Sequence, residues 1–280
     1  MNAELNLQKL VNQLQQLPRL PEQMPVLFVG HGNPMNAISD NPFTQSWHSI
    51  GNALPKPKAI LSVSAHWLTH GNTLVHASKQ PQTIHDFYGF PEELFAQKYP
   101  CSGSPEQAHQ TQKLAPDIIS ETDEWGLDHG TWSVLLSMFP DADVPVYQIS
   151  IDYRKAPPFH YQLAQRLQDL RKRGVLVIAS GNLVHNLQKL QWNNAEPFDW
   201  ALEFNQIVKE ALADFDDQRL VNFSNFGALG KMAHPSYDHY LPLLYALGLR
   251  SQQDEIHFFN NVIDMSSVSM LSFIYLPRKV

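Results

Sequence analysis

Val26-Leu27-Phe28-Val29-Gly30-His31-Gly32-Asn33-Pro34 is the stretch that decides the fold. Four consecutive apolar residues ending at glycine and proline punctuation read as a buried strand that feeds a tight loop. The same grammar recurs along the chain. Residues 59–64 form a second apolar run ending at Ala65-His66-Trp67, and 144–151 form a third. A fourth, 175–179, ends at Ser180-Gly181-Asn182, and 269–276 reads as a last strand. Helical periodicity falls between these runs, at about 105–120, 158–173 and 199–214. Strands alternating with helices imply an α/β fold, a single domain with a mostly parallel central sheet flanked by helices. Ahead of the first strand, Leu7, Leu10, Leu14 and Leu17 recur at helical spacing, and Pro18 and Pro21 stop the pattern. Residues 1–24 therefore read as an N-terminal helical extension, and 25–280 as the domain proper.

Composition narrows the function classes. The 280 residues are 43% hydrophobic and 17% charged, so a chain of this length buries its core without a structural metal or disulfide. It has one cysteine, Cys101, which rules out an intrachain disulfide and a cysteine zinc cluster. Net charge is -7, and no basic run exceeds Arg171-Lys172-Arg173, so a nucleic-acid-binding face is not expected. There is no signal-peptide pattern at the start and no run of eighteen apolar residues. The expectation is a soluble cytoplasmic protein without nucleic-acid or membrane partners. Oligomeric state is not readable from the sequence.

Thirteen histidines against a single cysteine is the unusual feature. Ligands of open α/β sheets bind beyond the C-terminal ends of the strands, and His31, His66 and His185 follow strand-like runs closely. His129 lies in Leu127-Asp128-His129-Gly130-Thr131-Trp132, and His234 in Ala233-His234-Pro235. Small residues stand beside each of these rings and leave room for a ligand. Neutral imidazole is a common metal ligand, yet a lone histidine is more often a surface or hydrogen-bonded core residue. That plainer reading is taken for His48, His70, His76, His109, His160 and His257. On spacing alone, a metal centre and a set of unrelated structural histidines stand about level. Other chemistries lack their signatures: His-Glu-x-x-His, Cys-x-x-Cys, Gly-x-Ser-x-Gly, the P-loop and the dinucleotide glycine fingerprint are absent. Cys101 reads as a bystander. Asp86 and Asp128 read either as carboxylates orienting histidines or as turn and cap residues.

Taken in order, several segments resemble one family. They are His31-Gly32-Asn33-Pro34, Ser64-Ala65-His66-Trp67, His85-Asp86-Phe87-Tyr88-Gly89-Phe90-Pro91 and Gly126-Leu127-Asp128-His129-Gly130-Thr131-Trp132. Gly181-Asn182-Leu183-Val184-His185-Asn186, Ala233-His234-Pro235 and Asp238-His239-Tyr240-Leu241-Pro242-Leu243 follow. The sequence resembles the 4,5-DOPA extradiol dioxygenases of the class III extradiol ring-cleavage superfamily, from about residue 25 to the C-terminus. The resemblance implies one divalent metal ion held by His31, His66 and His234. It implies His185 as the acid/base, able to act as a fourth ligand without substrate, and His129 as a second catalytic histidine contacting substrate or oxygen. His239 is implied only as a weaker substrate-side position. The implied reaction is cleavage of a catechol such as L-DOPA with dioxygen to a semialdehyde. Fe(II) is the expected ion for that chemistry, and Zn(II) also suits three neutral histidines. The wider superfamily carries a carboxylate as third ligand where His234 stands here. Two alternatives accompany this reading: a zinc-dependent hydrolase on the same scaffold, and a metal- or ligand-binding protein without turnover.

Overall fold

The computed structural model describes residues 2–19, 21–192 and 196–278. Among these, six strands form the central sheet: β1 (Val26–Gly30), β2 (Ala59–Ser64), β3 (Val146–Gln148), β4 (Val175–Gly181), β5 (Asp254–Phe259) and β6 (Ser272–Pro277). Their order is β5–β6–β1–β4–β2–β3. The four strands β1, β4, β2 and β3 run parallel, whereas β6 is antiparallel to both β1 and β5. The sheet is therefore mixed, its parallel part carrying the histidine-tipped strands. The principal helices are α1 (Asn2–Gln15), α2 (Pro42–Ala53), α3 (Pro105–Leu114), α4 (His129–Met138), α5 (Pro157–Arg166), α6 (Asp199–Ala213), α7 (Gly227–Ala233) and α8 (Leu241–Leu249).

Both faces of the parallel strands are covered, which is why they read as continuous apolar runs rather than alternating ones. Val26, Phe28, Leu61, Val63, Val177 and Ala179 enter one core together with α8 and α5. Their neighbours Leu27, Val29, Ile60, Leu176 and Ile178 enter the other, against Trp47, Ile50, Trp132 and Leu135. Side chains alternate between the two cores with the period of two that a strand imposes. Leu10 and Leu14 of α1 are buried in the second core, so the N-terminal helix is docked on the domain. No helix among the described residues is long and apolar enough to cross a membrane.

Several expected elements are shorter or broken. Helix α3 stops at Leu114, because Pro116 disfavours helical backbone at Ala115, and Ile119–Thr122 becomes a short strand instead. The helix expected over 158–173 is α5 followed by a separate turn, Asp169–Lys172. The run 144–151 leaves the main sheet after Gln148, and Ile151–Asp152 pairs with Leu68–Thr69. The last run also divides. Val268–Ser269 pairs with Ile263–Asp264 in a hairpin, and β6 begins three residues later. Helix α8, apolar on every side and buried throughout, has no amphipathic period to announce it.

Register brings the site together. Gly30 is level with Gly181, and Ser180 with Ser64. The chain therefore leaves β1, β4 and β2 at one edge, with His31, Asn182 and Ala65-His66 as the first residues past it.

Candidate metal centre

His31 is the first residue after β1, its backbone N–H bonded to Gly181 O at 3.1 Å. Its ring is buried, with Nδ1 3.0 Å from Ser180 Oγ. That hydroxyl donates its own hydrogen to Gly130 O at 2.5 Å, so it must accept from His31. The proton of His31 therefore sits on Nδ1, and Nε2 carries a bare lone pair. His66 has Nδ1 3.2 Å from Asp86 Oδ2, which fixes the same tautomer. The two Nε2 atoms face each other at 3.2 Å.

His129 opens helix α4. Asp128 caps that helix, its carboxylate accepting from Thr131 N–H, Ser64 Oγ and Gln148 Nε2. Burial drives the Asp128 carboxyl up to about 6. Asp128 is thus a cap that sets where His129 starts, and Asp86 is the carboxylate that orients imidazoles. Asp86 accepts from His129 Nδ1–H and from the His129 backbone N–H, both at 2.9 Å. Burial alone would raise the Asp86 carboxyl, but these donors hold it down at about 2. Gly130 is a steric requirement here, since a Cβ would come within 2.5 Å of Ser64 Oγ and 2.9 Å of His66 Cδ2.

His185 and His239 complete the cluster. His239, just before α8, has Nδ1 2.5 Å from Asp238 Oδ2. His185 lies flat on it, ring centroids 3.4 Å apart at 8°. The His185 backbone is held by Ala233 O and by a bridge to Val268. The His239 ring is 5.2 Å from that of His31 and 4.9 Å from that of His66, and His129 is 3.9 Å from His66. Burial, and then the mutual repulsion of these rings, keeps His31 and His239 well below the usual imidazole range. Burial and then repulsion from His129 bring His66 down to about 3, and burial and then repulsion from His234 bring His185 to about 4.

His234 does not join them. Its Nε2–H donates to Leu183 O at 2.9 Å, and its ring stands edge-on to Phe204, Phe223 and Tyr240. The ring is pinned in an aromatic nest behind the His185 loop, while the ligand atoms that lie close enough together to share an ion are those of His31, His66 and His129 and, beside them, those of His185, Asp238 and His239. Of the remaining histidines, His48, His70 and His109 are exposed, while His76 and His160 lie in the core away from the cluster. Cys101 is buried, and burial pushes its thiol up to about 11, so it offers no thiolate.

Neutral rings with proton-bearing outer nitrogens anchored on Ser180, Asp86 and Asp238 are the arrangement found behind metal-bound imidazoles. Two bare lone pairs facing each other at 3.2 Å repel unless a cation lies between them. The donor set therefore fits a divalent metal ion. In front of it opens a cavity of about 400 Å³, lined by His31, His66, His129, His185 and His239. Its outer wall is Phe87, Phe90, Leu187, Leu190, Trp192, Met265 and Val268. Phe87 and Phe90 fall in a quoted motif. The other wall residues and Ser180 went unnoticed as site residues, because no short motif marks them.

Residues 24–272 match the family described as the catalytic LigB subunit of aromatic ring-opening dioxygenase. The chain is 44% identical to a 4,5-DOPA dioxygenase extradiol of Escherichia coli K12 over 89% of its own length and 94% of the relative's. It is 34% identical to one from Beta vulgaris, over 88% of this chain and 94% of the other. A crystal structure of an uncharacterized protein from Escherichia coli K12 superposes with a TM-score of 0.79 at 41% identity, covering 90% of this chain and 99% of that one.

Proposed function

The chain belongs to the LigB family of aromatic ring-opening dioxygenases, and from that premise we propose that it cleaves a catechol such as L-DOPA with dioxygen, beside the diol, to a semialdehyde. The relatives' name supports the substrate class. The observation that carries the reading is the convergence of His31 and His66, their Nε2 atoms 3.2 Å apart and their Nδ1–H groups anchored, with the rings of His129 and His239 beside them. In this reading residues 25–280 form the catalytic unit, with α1 docked upon it.

A family of this chemistry and a three-histidine site imply a single metal ion, which we take to be Fe(II), held by His31, His66 and His239. When bound, Fe(II) supplies redox chemistry and open positions for a diol and dioxygen, which zinc, lacking redox chemistry, would not. The chain's own residues do the rest. Burial keeps the His185 ring neutral and it lines the cavity, so its ring nitrogen is placed to take the proton of a catechol hydroxyl. His129 faces the same space with Nδ1–H bonded to Asp86. A proton arriving at His129 Nε2 makes an imidazolium that Asp86 stabilises, and that N–H then donates to oxygen as negative charge develops on it. Phe87 and Phe90 line the same cavity and offer apolar surface to a catechol ring.

The test is oxygen uptake by metal-free protein reconstituted anaerobically with Fe(II), then given L-DOPA and air, beside a zinc-loaded sample. Iron-dependent uptake with a yellow product is expected. No uptake with L-DOPA or simpler catechols at full iron occupancy would overturn the reading.

A further inference from the structure

The cavity in front of the histidines changes character from floor to mouth. At its floor His31, His129 and His239 are buried. Its rim carries Tyr88, Trp192 and Leu187, which are 92%, 66% and 57% exposed. These are the three most exposed large apolar side chains among the described residues, and all three line this one cavity. Scattered singly, exposed apolar side chains need no explanation. Gathered on the rim of a ligand cavity, they mark a surface that part of the ligand covers.

The chain holds these rings out by fixing the residues beside them. Before Tyr88, Asp86 accepts from His129, and Phe87 packs edge-on to the rings of His129 and Phe90 at 5.5 and 5.4 Å. Gly89 has left-handed backbone, φ 77°, and turns the chain there. Tyr88 therefore faces water while Phe87 and Phe90 line the wall. Trp192 follows Gln191, whose backbone N–H is bonded to Met265 O at 3.1 Å. Asn33 also lines the cavity, and its Nδ2 meets the weak thioether acceptor of Met265 at 4.0 Å, so an amide carbonyl would serve that donor better. A catechol with both oxygens toward the histidines directs the ring carbons opposite the diol to the mouth. Its substituent leaves the enclosed part and passes between exposed rings into solvent. A charge on the substituent keeps its hydration there, so L-DOPA is accommodated although no lysine or arginine lines the cavity among the described residues. What the rim adds is aromatic surface for a planar group further along the substituent.

We propose that this site takes its catechol as the end group of a larger molecule: a dihydroxyphenyl group joined through an amide to a further planar group, which packs on Tyr88 and Trp192. The inference rests on the dioxygenase reading above and names its substrate class. The experiment compares N-acetyl-L-DOPA-L-phenylalaninamide with L-DOPA and 4-methylcatechol in two ways: calorimetric binding to the zinc-loaded protein in the absence of turnover, and steady-state kinetics of the iron-loaded enzyme. The amide is expected to bind about three- to tenfold tighter than L-DOPA, the size of one aromatic contact, with the gain in KM rather than kcat. Tyr88→Ala and Trp192→Ala are each expected to weaken binding of the amide by about threefold or more relative to that of 4-methylcatechol. Both side chains project into solvent, so truncating them leaves the fold intact. Binding of the amide no tighter than that of L-DOPA overturns the substrate class. An unchanged ratio in both variants overturns the role of the rim and assigns its exposed rings to another occupant, such as a partner protein. Failure to cleave any catechol would sink the dioxygenase reading instead, and the binding arm would still decide the substrate class.

Discussion

His234 and His239 lie five residues apart, and both are buried imidazoles whose pKa values burial pushes down. They differ in what the ring nitrogens do. His239 anchors Nδ1 on Asp238 and lies with its ring 5.2 Å from that of His31 and 4.9 Å from that of His66, stacked on His185. His234 spends Nε2–H on Leu183 O, inside a ring of Phe204, Phe223 and Tyr240, and its Nδ1 is buried without a hydrogen-bond partner. A buried, neutral histidine is therefore not the mark of a ligand. The mark is an outer nitrogen held by a carboxylate or hydroxyl with the inner one aimed at other bare nitrogens.

The comparison breaks most sharply under paired substitution. On the proposed assignment of His239 to the metal, His239→Ala is expected to lose the bound metal and at least about a thousandfold in kcat/KM. His234→Ala is expected to keep iron stoichiometry and instead lose roughly 2–4 kcal/mol of stability, because it empties an aromatic nest and leaves Leu183 O without its donor. Metal analysis alongside thermal unfolding separates the two, and metal loss in His234→Ala would make His234 a ligand. Next in size is His185→Ala, expected to lower kcat by about 10²- to 10⁴-fold with iron retained, the range for losing a general base. Single-turnover rates with quantified iron check it, and iron loss there would make His185 a ligand. Smaller again is Asp238→Asn, which leaves His239 in place but weakens its anchor. A drop in metal affinity of about 10- to 100-fold is expected by competition with a chelator, and an unchanged affinity would count against anchoring by Asp238.

That contrast also marks how far the sequence reaches. The strands behind His31, His66 and His185 were legible because burial on both faces makes them unbroken apolar runs, and parallel register then levels their ends. His129 was legible in its motif and the family resemblance, and Asp128, which the sequence leaves open between cap and orienting carboxylate, caps the helix His129 opens. The ring directions of His234 and His239 were not, because they depend on where α7 ends and α8 begins, and α8 lacks an amphipathic period. Asp238 immediately before His239 was the available clue. Trp192 and Met265 reach the cavity from segments with no motif, one from an irregular stretch and one from a turn whose left-handed backbone Met-Ser does not advertise. The short accessory strands, such as Thr73–His76 with Ile119–Thr122, are set by tertiary pairing rather than local pattern.

A third buried imidazole sharpens the point with the smallest effect. His160 lies in the core with Nδ1 3.2 Å from Tyr245 Oη, and burial lowers it to about 4, only partly offset by the Lys155 backbone and the Asp152 charge. The value matches that of His234 and of His185, although His160 lines no cavity of the site. In the unfolded chain such a ring titrates near 6.5. Above that pH neither state is protonated, and His160 leaves stability unchanged as pH varies. Between about 6.5 and 4 the unfolded chain binds the proton and the folded one does not, so stability falls as pH drops through this window. The loss levels off below about 4, once the folded state is protonated too, at roughly 3 kcal/mol for the whole shift. Denaturant unfolding of the wild type and His160→Phe at pH 7 and pH 4.5 measures this. The variant is expected to lose less stability on acidification than the wild type, and parallel losses would mean that burial of His160 does not govern its titration.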